Sequence, residues 1–63
     1  MVKGNQKVIT KCYNKEDVWN NRQTAIEFFI SCIENSDGSE RERYTNVLMD
    51  LLANKNYCTD MEV

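Results

Sequence analysis

The spacing of apolar and polar residues changes along the chain, and each change predicts an element. Residues 7–13 predict a strand, with Val8, Thr10 and Cys12 on one face and Ile9, Lys11 and Tyr13 on the other. Residues 14–17 are all polar and predict a turn. Val18 and Trp19 then begin a second, short strand, so this part of the chain predicts a β-hairpin with a loop of about four or five residues.

The apolar residues of 22–35 follow a helical period. Asn20 and Asn21 come directly before it, and asparagine is a favoured N-cap because its side-chain oxygen accepts a bond from the first turn. The apolar stripe consists of Ile26, Phe29, Ile30 and Ile33, widened by Ala25, Phe28 and Cys32. Its width predicts contact with both a sheet and a second helix or a second subunit.

A second helix follows a Ser-Asp-Gly break. Gly38 is suited to the left-handed backbone of a turn. Ser39 then predicts the start of the helix, and Glu42 three residues later predicts a capping box. The helix is expected to end near Ala53 or Asn54. Its apolar stripe, the clearest in the chain, consists of Tyr44, Val47, Leu48, Leu51 and Leu52.

The predicted order of elements is β-β-α-α-β, because residues 57–59 read as a short final strand. This order predicts an α+β fold, a small two-layer domain with an antiparallel hairpin and a helical hairpin. We expect residues 1–63 to form a single domain, with frayed ends at 1–6 and 60–63. The third strand is expected to pair with the hairpin or with another subunit.

Composition argues against catalysis. The chain has no histidine, so the usual general base near neutral pH is missing. It also has no glycine-rich phosphate loop, because Gly4 and Gly38 are its only glycines. We therefore expect a binding protein that uses no cofactor.

Cysteine content and net charge bear on the cellular compartment and on the class of ligand. The three cysteines are Cys12, Cys32 and Cys58; their odd number and wide spacing predict reduced thiols in a cytoplasmic protein, with no disulfide and no metal site. The net charge of −2 argues against duplex nucleic acid as a ligand. No apolar run is long enough for a membrane span. Because a chain this short has a thin core, we expect a homo-oligomer.

The start of the second helix is the candidate ligand site. A helix N-terminus presents free N–H groups, and arginine forks bind phosphate or carboxylate. Such a site suits an anion, for instance a nucleotide. The candidate residues are Gly38, Ser39, Arg41, Arg43 and Thr45. The alternative is a helix that is merely well capped, with Arg41 paired to Asp37.

Three aromatic residues form the candidate partner interface: Trp19, Phe28 and Tyr44. Tryptophan is common at interface hot spots because it buries a large area at low entropic cost. The alternative is that Trp19 closes the small core and that Phe28, at the edge of the helical stripe, belongs to the core as well.

The runs SDGSERERYTNVLMDLL and NKNYCTD, together with TAIEFF, resemble a pattern in small proteins of phages and mobile elements of Gram-positive bacteria. The resemblance implies an inhibitor of host antiviral defence. Such proteins sequester cyclic nucleotide signals, or they block CRISPR or restriction complexes by protein contact. The first is our leading hypothesis, and the second, with no small ligand, is the alternative.

Overall fold

A computed structural model describes residues 7–60. The elements are β1 (Val8–Cys12), β2 (Lys15–Trp19), α1 (Arg22–Glu34), α2 (Gly38–Leu52) and β3 (Tyr57–Thr59). Both the predicted order β-β-α-α-β and the α+β class are confirmed. The predicted frayed residues 1–6 and 61–63 lie outside the described part of the chain.

The three strands form one sheet in the order β2-β1-β3. β1 pairs with β2 in the antiparallel direction and with β3 in the parallel direction. A parallel pair needs a long crossover, which the two helices provide. The third strand therefore pairs within the chain, at the far side of β1 from β2.

The helices cover one face of the sheet. Val8, Thr10 and Cys58 point toward them and are buried, because alternate residues of a strand share a face. On the other face, Val18 and Tyr57 are exposed. The core between the two layers is formed by Val8, Ala25, Phe29, Val47, Leu51 and Cys58. Three members of the predicted helical stripes are exposed, since the stripes are wider than the thin core that they contact: Phe28, Ile30 and Leu52.

The hairpin turn is shorter than predicted. Cys12 pairs with Lys15, so only Tyr13 and Asn14 form the turn. Both have positive φ, 55° and 62°, as the turns that match strand twist require. The predicted loop at 14–17 is wrong because residues 15–17, although charged, lie in the edge strand β2, where charge is tolerated.

The two helix starts differ in how they are capped. The predicted cap of α1 is confirmed, since Asn21 Oδ1 accepts from the N–H groups of Gln23 (2.8 Å) and Thr24 (3.4 Å). The predicted capping box of α2 is wrong. Its N-cap is Asp37, which has an extended backbone and makes no side-chain capping bond. Ser39 lies inside the first turn, because the helix begins at a glycine.

That glycine, Gly38, has φ of 66°, as its left-handed assignment predicts. A Cβ at this position would have open space around it, so the backbone angle is the reason for glycine here.

α2 ends at a second left-handed residue. Asn54 has φ of 66° and donates its N–H to Leu51 O, while Lys55 N–H donates to Asp50 O, both at 3.1 Å. This is the Schellman arrangement, which satisfies carbonyls that the helix leaves unpaired. Arg22, the first residue of α1, also binds this end of α2: its Nη1 donates to Leu51 O (2.9 Å) and to Lys55 O (2.8 Å).

Candidate functional site

Asp60 connects the hairpin turn to α2. It is 7% exposed, and its Oδ2 accepts from the Tyr13 N–H at 3.1 Å and from Arg43 Nη1 at 3.0 Å. Its own N–H donates to Lys11 O, and its carbonyl accepts from Asn46 Nδ2. The prediction that residue 60 frays is wrong, because these bonds fix both its side chain and its backbone.

The charge of this carboxyl is fixed by its surroundings. Burial alone raises the pKa of Asp60, but the Tyr13 N–H and the Arg43 guanidinium outweigh burial, so that the pKa lies below its ordinary value. The hydrogen bond to Asp60 in turn raises the pKa of Arg43. Burial, followed by the Asp60 charge, raises the pKa of Cys12 to about 11. At neutral pH the site therefore holds a carboxylate, a guanidinium and a protonated thiol.

An open cleft of about 670 Å³ lies beside this network. It is lined by Tyr13, Asn14, Ser39, Glu42, Arg43, Asn46 and Asp60. The four lining residues of α2 follow the i, i+3, i+4, i+7 spacing of one helix side. The hairpin turn forms the opposite wall.

Arg43 is held in place within the cleft. Its Cζ lies 4.8 Å from the centroid of the Tyr13 ring, a cation–π distance, while Asp60 binds Nη1. Its side chain is still 45% exposed. The guanidinium is therefore oriented by two contacts and remains accessible from the cleft.

The structure separates the predicted ligand residues. Ser39 and Arg43 line the cleft together, but Gly38, Arg41 and Thr45 do not. A helix turns about 100° per residue, so Arg41 and Arg43 project about 200° apart. Thr45 Oγ1 donates to Arg41 O at 2.8 Å, a bond within the helix.

The alternative prediction for Arg41, an ion pair with Asp37, is not observed either. Within residues 7–60 the ion pairs are Arg43–Asp60 and Lys55–Asp50, and none joins Arg41 to Asp37. Five residues of the cleft lining were not predicted as site residues from the sequence, namely Tyr13, Asn14, Glu42, Asn46 and Asp60.

The three aromatic residues predicted as a partner interface also have different environments. Trp19 is half-buried, its Nε1 donates to Thr10 Oγ1 at 2.9 Å, and its ring lies 5.3 Å from that of Phe28. It closes one end of the core, which was the alternative interpretation. Tyr44 is also half-buried, 6.2 Å from Phe29 between ring centroids. Phe28 is 48% exposed and is the member of the three that is available to a partner.

Fold and cleft together define a small α+β domain with a mixed three-stranded sheet and a polar cleft between a hairpin turn and a helix. A scan against protein-family models and searches of curated proteins and of solved structures gave no match. No helix within residues 7–60 is long and apolar enough to span a bilayer. The same residues contain no cluster of three potential metal ligands.

Proposed function

We propose that the protein is a non-enzymatic binding protein that takes a nucleotide in the cleft beside Arg43. The observation that carries this proposal is the fixed guanidinium of Arg43, oriented by Asp60 and Tyr13 and still exposed. A guanidinium has five N–H donors, of which the bond to Asp60 uses one. The others suit phosphate oxygens, which arginine binds in bidentate fashion.

The start of α2 supports the same ligand. The Asp37 side chain makes no capping bond, so the first-turn N–H groups are not satisfied by a side-chain cap. These groups and the helix dipole favour an anion near Ser39, which lines the cleft. Phosphate between Ser39 and Arg43 would contact both a hydroxyl donor and a fixed cation.

The rest of the lining favours a nucleotide over inorganic phosphate. Glu42 offers an acceptor, and Asn14 and Asn46 carry amide groups. The exocyclic amine of a base can donate to Glu42, whereas phosphate alone would be repelled by it. The volume of about 670 Å³ lies in the range of small-molecule sites.

The resemblance to phage and mobile-element proteins supplies the biological setting of the proposal. In that setting the protein sequesters a cyclic nucleotide signal of host defence in the cytoplasm, without converting it. A homo-oligomer remains part of this proposal, because a domain of this size gains stability from association. The exposed Ile30 and Leu52 are available for it.

We expect isothermal calorimetry against a panel of cyclic di- and trinucleotides to give heat with at least one of them. Ser39→Glu should weaken that binding by about tenfold or more, because it places a negative charge in the cleft beside the phosphate. The variant should fold normally, since an acidic residue is favourable in the first turn of a helix. Chromatography of the bound nucleotide should recover it unchanged.

Arg41→Ala is the matched control. Arg41 belongs to the same helix but lies outside the cleft, so we expect nucleotide binding and stability to stay at wild-type values. Absence of heat with every nucleotide, or equal affinity of wild type and Ser39→Glu, would remove the basis of the proposal.

A further inference from the structure

The residues of α2 that line the cleft form two pairs, each with the i, i+4 spacing that places side chains one turn apart on a helix. Ser39 and Arg43 form the first pair, and Glu42 and Asn46 form the second. Because an α-helix rises by about 1.5 Å per residue, the second pair lies about 4.5 Å further along the helix axis. The cleft therefore offers a ligand two places of contact on one wall.

The two pairs differ in chemistry. The first supplies a hydroxyl donor and an oriented guanidinium. The second supplies the carboxylate of Glu42, which is exposed and takes part in no hydrogen bond or ion pair within residues 7–60. An anionic group is attracted to the first pair and repelled by this carboxylate. A nucleotide therefore places its phosphate at Ser39 and Arg43, and its base, on the other side of the sugar ring, near Glu42.

Asn46 lies one turn from Glu42 and is held in place by a hydrogen bond. Its Nδ2 donates to Asp60 O at 3.3 Å, and a nitrogen must face this atom because a carbonyl oxygen can only accept. One N–H and the Oδ1 of the amide remain for a ligand. Since an amide offers both a donor and an acceptor, Asn46 can serve any base and does not discriminate between them.

The opposite wall is equally tolerant. Tyr13 is 49% exposed and lines the cleft, and an aromatic ring stacks on any base because every base has a π face. Asn14, in the same turn, carries another amide. Among the residues of the cleft near the base, Glu42 is therefore the one whose chemistry can select a base.

A carboxylate distinguishes bases by the donors on their hydrogen-bonding edges. Its two oxygens only accept, so it binds best to two adjacent donors. Guanine has such a pair, the N1–H and the exocyclic N2 amine. Adenine and cytosine each have one amine beside a ring nitrogen, whose lone pair would face the second carboxylate oxygen. Uracil has a single N–H between two carbonyl oxygens, which the carboxylate repels.

We infer that the cleft selects guanine and that the carboxylate of Glu42 determines this choice. The inference rests on the proposed nucleotide function and specifies its ligand as a guanine nucleotide. The phosphate lies at Ser39 and Arg43, and the N1–H and N2 amine of the base donate to the two oxygens of Glu42. These bonds are charge-assisted, so each is stronger than a bond between neutral groups.

Three cyclic 3′,5′-linked dinucleotides that differ only in their bases test the selection, with guanine, hypoxanthine or adenine at both positions. Hypoxanthine keeps the N1–H of guanine and lacks only the amine. By isothermal calorimetry we expect the guanine compound to bind about tenfold more tightly than the hypoxanthine compound, and the adenine compound to bind more weakly still. In proton NMR the N1–H of bound guanine should become observable, because bonding to Glu42 slows its exchange with water.

Glu42→Gln tests the residue itself. Glutamine offers one acceptor and one donor in the same shape, which matches adenine better than guanine. We expect the preference for the guanine over the adenine compound to fall by about tenfold. This ratio is the measured quantity, because the loss of a negative charge strengthens binding of every nucleotide alike. Glu40→Gln is the matched control, since it makes the same change on α2 outside the cleft and should leave the ratio at its wild-type value.

Ser39→Glu separates this inference from the nucleotide proposal. It acts at the phosphate, so it should weaken the three compounds alike. Tighter binding of the adenine compound, equal binding of the guanine and hypoxanthine compounds, or an unchanged ratio in Glu42→Gln would overturn the selection of guanine and leave the nucleotide proposal standing. Binding of other cyclic nucleotides but not of the guanine compound would do the same. Absence of heat with every nucleotide would overturn both.

Discussion

Asp60→Ala is expected to lower the free energy of unfolding by about 3 kcal/mol, since a hydrogen bond that involves a charged group contributes ~1.5–3 kcal/mol and this carboxylate makes two. The change removes the acceptor of the Tyr13 N–H and of Arg43 Nη1 together. A chain of this length has a total stability of ~3–9 kcal/mol, so the expected loss is about a third or more of the total. Urea denaturation followed by circular dichroism measures the effect.

Two further variants show whether the charge or the shape of Asp60 matters. Asp60→Asn keeps the size of the side chain and one oxygen acceptor but removes the charge, so we expect a smaller loss of about 1–2 kcal/mol. Glu40→Ala changes an exposed acid on α2 and should stay within about 0.5 kcal/mol of wild type. If Asp60→Ala were as mild as Glu40→Ala, the network would contribute little to stability.

The pH dependence of stability provides an independent measurement. The folded pKa of Asp60 lies below its unfolded value, so its contribution is fully present above the unfolded pKa of about 3.9 and is lost as the pH falls through the folded pKa. We therefore expect wild type and Asp60→Ala to differ most above about pH 5 and to converge toward pH 2. A constant difference across that range would contradict the assignment of a depressed pKa.

The fold was predictable because its elements have strong periodicities. The stripe from Tyr44 to Leu52 indicates a helix from local spacing alone, and residues 7–13 indicate a strand from their short apolar-rich run before a polar turn. The hairpin turn was not predictable in the same way. Tyr13 and Asn14 adopt positive φ only because the pairing of β1 with β2 requires it, and no Asn-Gly pair marks the position.

Part of the candidate site could also be predicted from local spacing, namely the part on α2. Ser39 and Arg43 lie on one side of α2, and helical geometry alone is enough to place Arg41 on a different side from Arg43. Asp60 is different, because its role depends on which strand lies beside β1. The parallel register that pairs Lys11 with Thr59 brings residue 60 next to the hairpin turn, and a sequence of three strands does not specify that register.

Arg22→Met is expected to lower the free energy of unfolding by about 2–3 kcal/mol, because the guanidinium makes charge-assisted bonds to three acceptors at the end of α2 and in the segment that follows it. Nη1 donates to Leu51 O and Lys55 O, and Nη2 donates to Asn56 Oδ1 at 3.0 Å. Methionine retains much of the apolar stem, so the variant isolates the polar contribution. Thermal and urea unfolding measure the loss, with Arg41→Met as a control that should stay near wild type.

The location of Arg22 supports a large effect. A cation at the first position of a helix is unfavourable toward its own helix dipole, and α1 has no acidic residue in its first turn to offset it. α2 in turn has no basic residue in its last turn. Arg22 therefore stabilises the C-terminus of another helix at a cost to its own.

Arg22→Lys should recover only part of the stability, because an ammonium lacks the planar fork that reaches three acceptors. Full recovery with lysine would show that charge alone, through the dipole of α2, accounts for the contribution.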